Sequence, residues 1–157
     1  MNDHPSPEKF IVVGVDGSPS SILALQWAAR LVPTVGTTIR AVAAWQVPYT
    51  YYEFPISGWD PKSVAETILS ESLSKAFVGY PPATVSALTR QGSPARVLLD
   101  ESQGAQMLIV GSRGHGGFAA LLLGSVSSAV AEHAQCPVLI AHGATTDESA
   151  AGKPGTS

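Results

Sequence analysis

Cysteine is almost missing from this chain: its 157 residues hold a single one, Cys136. One thiol closes no internal disulfide, and no cluster of Cys and His carries zinc-ligand spacing. The sequence therefore predicts a fold held by its own core in a reducing compartment. Charge is sparse too, at 13% of residues, with 9 basic against 12 acidic side chains and a formal net charge of −3. That balance argues against a broad basic face for nucleic acid. No apolar run approaches the roughly 20 residues of a membrane span. Met1-Asn2-Asp3-His4-Pro5 lacks the charged-then-apolar layout of a secretion signal. The expectation is a cytoplasmic chain with neither a membrane nor a nucleic-acid partner. What the chain has in quantity is apolar side chains (45%), with 15 Gly and 12 Pro. A chain of this length buries roughly 70% of its unfolded surface, enough for one core.

Hydrophobic periodicity alternates along the sequence. Phe10-Ile11-Val12-Val13-Gly14-Val15 is a nearly continuous apolar run, the pattern of a strand buried on both faces. Asp16-Gly17-Ser18-Pro19 then reads as a turn into a helix, with Ser18 as N-cap and Pro19 in the first helical position. Ile22, Leu25, Ala29 and Val32 form that helix's stripe, which Pro33 is expected to stop. Ile39 to Trp45 is a second strand. Gln46 to Asp60 reads as an irregular connection holding five aromatics, Tyr49, Tyr51, Tyr52, Phe54 and Trp59. Pro61 opens a second helix striped by Ala65, Leu69, Leu73, Ala76 and Phe77.

Thr84 to Thr89, with Thr and Ser interleaved, reads as a weak third strand at a sheet edge. Ser93-Pro94 is expected to cap a third helix ending at Gly104, and Met107 to Val110 is a compact fourth strand. A glycine-rich turn, Gly111 to Gly117, leads to a fourth helix striped by Leu122, Val126, Ala129, Val130 and His133. Pro137 to Ala141 is the last strand. Strands alternating with helices predict an α/β fold: an open parallel sheet with helices on both faces and right-handed crossovers. No internal repeat is present. The expected domain is 9–142, between a flexible N-terminus (1–8) and a disordered tail from Gly143 to Ser157, which has no large apolar side chain.

Gly111-Ser112-Arg113-Gly114-His115-Gly116-Gly117 lies between a strand and a helix, where a doubly wound sheet holds its ligands. Glycines there let backbone N–H groups approach an anion, and the helix start adds unpaired amides and the positive end of its dipole. Arg113 and His115 add side-chain donors. Gly114 to Ala119 has the spacing of a dinucleotide fingerprint, but no later strand ends in an acid about 20 residues on. The Lys-Ser/Thr of a P-loop and the Gly-x-Ser-x-Gly of a nucleophile elbow are both missing. A second Gly-Ser pair stands at Gly124-Ser125, giving Gly111, two residues, Gly114, nine residues, Gly124-Ser125.

This arrangement resembles the nucleotide-binding signature of universal stress proteins, in the subset that binds ATP. The resemblance runs from Val13-Gly14-Val15-Asp16-Gly17-Ser18 to Cys136-Pro137-Val138-Leu139-Ile140, about 130 residues. It implies a Rossmann-like sheet of five parallel strands in the order 3-2-1-4-5, a homodimer, and ATP in the crevice between strands one and four. It places Gly14, Val15 and Asp16 beside adenine and ribose, with Asp16 accepting from a ribose hydroxyl or the adenine amine. Ala44 falls where a backbone group meets the adenine edge. Gly111, Ser112, Arg113, Gly114, His115, Gly116 and Gly117 would surround ribose and phosphates. Gly124, Ser125, Val126 and Ser127 would bring backbone and hydroxyl donors to the phosphates. A divalent ion, Mg2+ or Mn2+, is expected on those phosphates, and no side-chain metal ligand is assigned.

Plainer roles stand beside these. Asp16 is also a common turn-former, and the glycine-rich stretch also serves as a simple connection. His133 and Cys136 have the spacing of a metal pair, but two ligands make no site; a helix end that favours His, then a buried thiol, explains both. The aromatic stretch has three roles open: covering the adenine mouth, packing on the second helix, or meeting a partner. An apolar last strand at a sheet edge, Val138-Leu139-Ile140, invites pairing with its symmetry mate. The function expected is a nucleotide-dependent stress-response binding module. The alternative is a slow ATPase or phosphotransferase using Arg113, Ser125 and His115, with no acidic residue placed as base.

Overall fold

Every residue of Phe10–Gly14, strand β1, is buried. A strand this apolar has no face to give to water, so it belongs at the centre of a sheet covered on both sides. The computed structural model places it there and describes residues 7–35, 38–79, 84–113 and 123–143. The elements that follow β1 are α1 (Pro19–Val35), β2 (Thr38–Trp45), α2 (Tyr49–Glu53), α3 (Pro61–Ala76), β3 (Val85–Gln91), α4 (Pro94–Glu101), β4 (Met107–Gly111), α5 (Ser125–His133) and β5 (Val138–Ala141). The sheet order is β3-β2-β1-β4-β5 with every pair parallel, as the resemblance implied. Gly14 lies opposite Val42, and Val13 opposite Ile109.

The two-residue alternation of β1 divides the core. Ile11 and Val13 join Leu25 and Ala28 of α1 and Ala65 and Leu69 of α3 on one face. Phe10 and Val12 join Val97 and Leu98 of α4 and Val130 of α5 on the other. Strand order runs outward from β1 to β2 and β3, then reverses to β4 and β5. The crevice of an open parallel sheet opens at such a reversal, beyond the strand C-termini.

Several boundaries differ from expectation. Helix α1 passes through Pro33 to Val35. Proline's fixed φ is helical, and the one N–H bond it forgoes lies in the last turn, where Pro33 itself is exposed. The aromatic connection contains α2, closed by Tyr51 N→Pro48 O (2.9 Å) and Phe54 N→Thr50 O (2.9 Å). Helix α4 ends at Glu101, and the chain turns out through Gly104 at φ +80°. Ser93 makes no side-chain cap there, whereas Asp60 caps α3 by accepting from Lys62 N. The glycine-rich positions Gly114, His115, Gly116 and Gly117, the stripe residue Leu122, residues 1–6 of the N-terminus and 144–157 of the tail lie outside the described residues. Among the described residues no helix is long and apolar enough to cross a membrane.

Candidate functional site

Strand β2 outruns β1, and this opens the site. Val15 N–H donates to Val42 O (2.9 Å), so Val42 turns its backbone groups toward β1. Two residues on, the amide and carbonyl of Ala44 turn the same way, by the two-residue alternation of a strand. Strand β1 has ended by then, and among the described residues no strand meets them. Trp45 turns oppositely, its carbonyl taking Gly92 N (2.9 Å). Ala44 thus offers a donor and an acceptor side by side at the crevice.

Below this edge lies a cavity of about 480 Å³. Val15, Val42, Ala44, Leu98, Val110 and Val126 supply its apolar wall, and Asp16, Ser18, Ser21, Arg113 and Ser125 its polar one. Gly14, Gly111, Gly124 and Ser127 complete the ring together with Pro94. Every described residue that the resemblance assigned to the nucleotide therefore lines this cavity, apart from Ser112. Ser112 is buried off the wall, where its N–H donates to Ala141 O (2.9 Å). Its carbonyl accepts from Gly124 N (2.7 Å) and from Ser127 Oγ (3.0 Å). It fastens the end of β4 to the start of α5, a task no spacing rule could show. The same bond corrects the expectation for Ser127. Its hydroxyl donates to backbone carbonyls, of Ser112 and of Gly124 at 3.1 Å, and a hydroxyl has one hydrogen to give. Its amide alone is left to face a ligand.

Two helix starts face the cavity in different states. At α1, Asp16 Oδ1 accepts from Ser18 N (2.9 Å) and Ser18 Oγ, and Ser18 Oγ accepts from Ser21 N (3.3 Å). Asp16 is thus the turn-former of the plain reading, yet its carboxylate is exposed on the cavity wall. At α5 the N-cap is Gly124, with φ −72°, ψ 170° and no side-chain cap bond. The amides of Ser125, Val126 and Ser127 are first-turn donors with no intrahelical acceptor. Helix dipole and orphan amides together make that end suited to an anion, and the exposed Arg113 stands on the same wall.

The glycines act by close approach. A Cβ on Gly111 would collide with Ser20 Oγ and lie 2.7 Å from the Ser20 carbonyl carbon. A Cβ on Gly14 would lie 2.7 Å from Leu98 Cδ1, the movable end of a side chain. The sequence reading missed Ser18, Ser21, Val42, Pro94, Leu98 and Val110 as wall residues. The cap signal at Ser18 was legible, but its cavity face was not. Pro94 and Leu98 arrive only through the crossover that lays α4 over β1. Elsewhere, burial pushes the Cys136 thiol up, and a Ser102 hydrogen bond opposes this. Among the described residues no group of three or more His, Cys, Asp or Glu stands where it would hold a metal ion.

A doubly wound parallel sheet with a half-apolar, half-amide-lined crevice at its reversal defines an open α/β domain of the kind that holds small ligands at that place. Residues 9–142 match the universal stress protein family, and the chain belongs to that family. It is similar to universal stress protein Rv2623 of Mycobacterium tuberculosis, with 36% identity over 144 residues, covering 90% of this chain and 48% of the relative. The chain thus spans about half the length of the curated relatives it matches. Among solved structures it resembles UspA of Lactobacillus plantarum (TM-score 0.71, 16% identity, 87% of this chain and 99% of that one). It also resembles a universal stress protein in complex with cAMP (TM-score 0.65, 25% identity, 87% and 99%).

Proposed function

We propose that this chain is an adenine-nucleotide-binding regulatory module whose ligand is ATP. The observation that carries the reading is the pairing, in one cavity, of Ala44's outward backbone edge with the uncapped start of α5. An adenine ring has an apolar face and an edge with adjacent donor and acceptor atoms; the wall around Ala44, Val42 and Leu98 suits the first and Ala44's backbone the second. The amides of Ser125, Val126 and Ser127 and the Arg113 guanidinium suit phosphates. Asp16 suits a ribose hydroxyl through the carboxylate oxygen that Ser18 does not use. The similar structure with cAMP supports an adenine nucleotide as the ligand class.

A Mg2+ or Mn2+ ion would be held by the phosphates, by water and by the exposed Ser125 hydroxyl, since Asp16 is the one carboxylate on the described wall. Its chemistry there is charge neutralisation. The module works by occupancy rather than efficient turnover. Partners read it through a homodimer that pairs Val138-Leu139-Ile140, half-buried at the sheet edge, across a two-fold axis; a monomer in sedimentation at micromolar concentration would overturn that part.

The test is calorimetric titration of nucleotide-stripped protein with ATP, with and without magnesium, against Ser125→Pro and with cAMP as competitor. Proline is well placed at a first helical position, and Gly124 already has the extended conformation that precedes proline. The variant keeps α5 and deletes one amide and one hydroxyl. One ATP per chain in the parent, weakened about tenfold in Ser125→Pro, is expected. No heat at millimolar ATP overturns the reading, and tighter binding of cAMP than of ATP changes the ligand.

A further inference from the structure

Ser20 is buried, is not a wall residue, and bonds across 93 positions of sequence: its Oγ donates to Arg113 O at 2.6 Å. That bond uses the hydroxyl's one hydrogen. Ser18 Oγ, 3.5 Å away, gives its own hydrogen to Asp16 Oδ1. Two serines thus stand in line between the Asp16 carboxylate and the backbone where the glycine-rich segment begins. Gly111 belongs to the same contact, because any side chain there would strike Ser20. Strand β4 and helix α1 approach closely here at Gly111.

The direction of the Arg113 carbonyl matters electrostatically. Its oxygen is the negative end of a peptide dipole, and an anion held by the amides of α5 would be repelled by it. Bonded to Ser20, which lies off the wall, the oxygen is held on α1. Without that donor it has no bond from the described residues and is free to turn toward the cavity. We propose that Ser20 is a positioning residue: by holding the Arg113 carbonyl on α1, it sets how strongly the cavity prefers a phosphate-bearing ligand to the bare nucleoside. The inference rests on the nucleotide reading for the ligand, though not for the anion.

The test titrates the full chain, its Ser20→Ala and Ser20→Cys variants and Ser20→Thr with ATP, adenosine and inorganic tripolyphosphate. Ser20→Ala is expected to weaken ATP and tripolyphosphate about tenfold and adenosine less than about twofold. Ser20→Cys, close in size but a weak donor, should match it, and Ser20→Thr should restore the parent's ATP-to-adenosine ratio. If Ser20→Ala does not fold, Ser20→Cys carries the same comparison. Equal weakening of ATP and adenosine, or weakening of neither, overturns the proposal. A parent that takes tripolyphosphate but neither ATP nor adenosine overturns the nucleotide reading alone, and Ser20 is then judged on tripolyphosphate. A parent that takes neither ATP nor tripolyphosphate overturns both.

Discussion

Helices α1 and α5 begin on the same cavity, one closed and the other open. At α1, Asp16 Oδ1 takes the amide and hydroxyl hydrogens of Ser18, and Ser18 Oγ takes that of Ser21 N. At α5, Gly124 has no side chain to cap with, and the first-turn amides keep their donors. A helix start with its own cap is a stability device. One capped by glycine and facing a cavity is suited to a ligand that supplies the missing acceptors. The difference divides two glycine-and-serine segments of similar composition, Asp16-Gly17-Ser18 and Gly124-Ser125, into a fastened helix start and an uncapped one.

The largest effect should come from the seam joining the two ends. Gly111→Ala sets a methyl against the backbone of Ser20, which no rotamer change relieves. A loss of about 3 kcal/mol is expected, seen as a fall of roughly 6–12 °C in the thermal midpoint. Converting the open end to the closed kind comes next. Gly124→Asp gives α5 a carboxylate cap at a φ and ψ suited to one, so stability should change by only a few tenths of a kcal/mol. ATP affinity, read by calorimetry, should fall about a hundredfold or more, because the new charge meets the phosphates.

The reverse conversion is milder. Ser18→Ala strips the α1 cap and should lower stability by about 1 kcal/mol in a denaturant titration. The smallest effect belongs to a capped start off the cavity wall, that of α3. The Ser63 hydroxyl (2.8 Å) outweighs desolvation and, with the Lys62 amide (3.1 Å), holds the Asp60 carboxyl below its ordinary value of 3.8. A lowered carboxyl adds stability above its unfolded value, which is lost as pH falls through the folded one. Asp60→Ala should therefore narrow the gap in thermal midpoint between neutral pH and about pH 2 by a small amount. An unchanged gap would show that exposure screens the cap entirely.

Much of this molecule could be read without coordinates. Strand β1 was legible because a strand buried on both faces has one appearance, a run such as Phe10 to Val13. Helix α3 was legible because Pro61 stands at its first helical position, just after the Asp60 cap and ahead of the stripe. The spacing of Gly111, Gly114 and Gly124-Ser125 marked the segment that meets the cavity, although Gly114 lies outside the described residues. Pro33 misled, because a proline in a last turn forfeits only one bond. The short helix α2 was hidden inside aromatics, whose side chains carry no helical stripe. Ser127 misled in a subtler way: its hydroxyl stood at the right distance in sequence but spends its hydrogen on Ser112 and Gly124.

The sequence by itself determined the alternation of strands and helices, the family and the stretch of chain that lines the crevice. The alternation follows from periodicity and from residue types whose local conformational preferences need no partner; the family and the stretch follow from the spaced glycines and the resemblance they carry. Only the tertiary structure decided that Ala44 turns a bare backbone edge to the cavity, since this depends on how far β2 outruns β1. It alone brought Leu98 and Pro94 to the wall and set Ser20 against Gly111 and Arg113, 93 residues on. Such contacts are fixed by strand register and helix packing, which join residues far apart in the chain. A hydroxyl's single hydrogen goes to whichever acceptor the fold puts within reach.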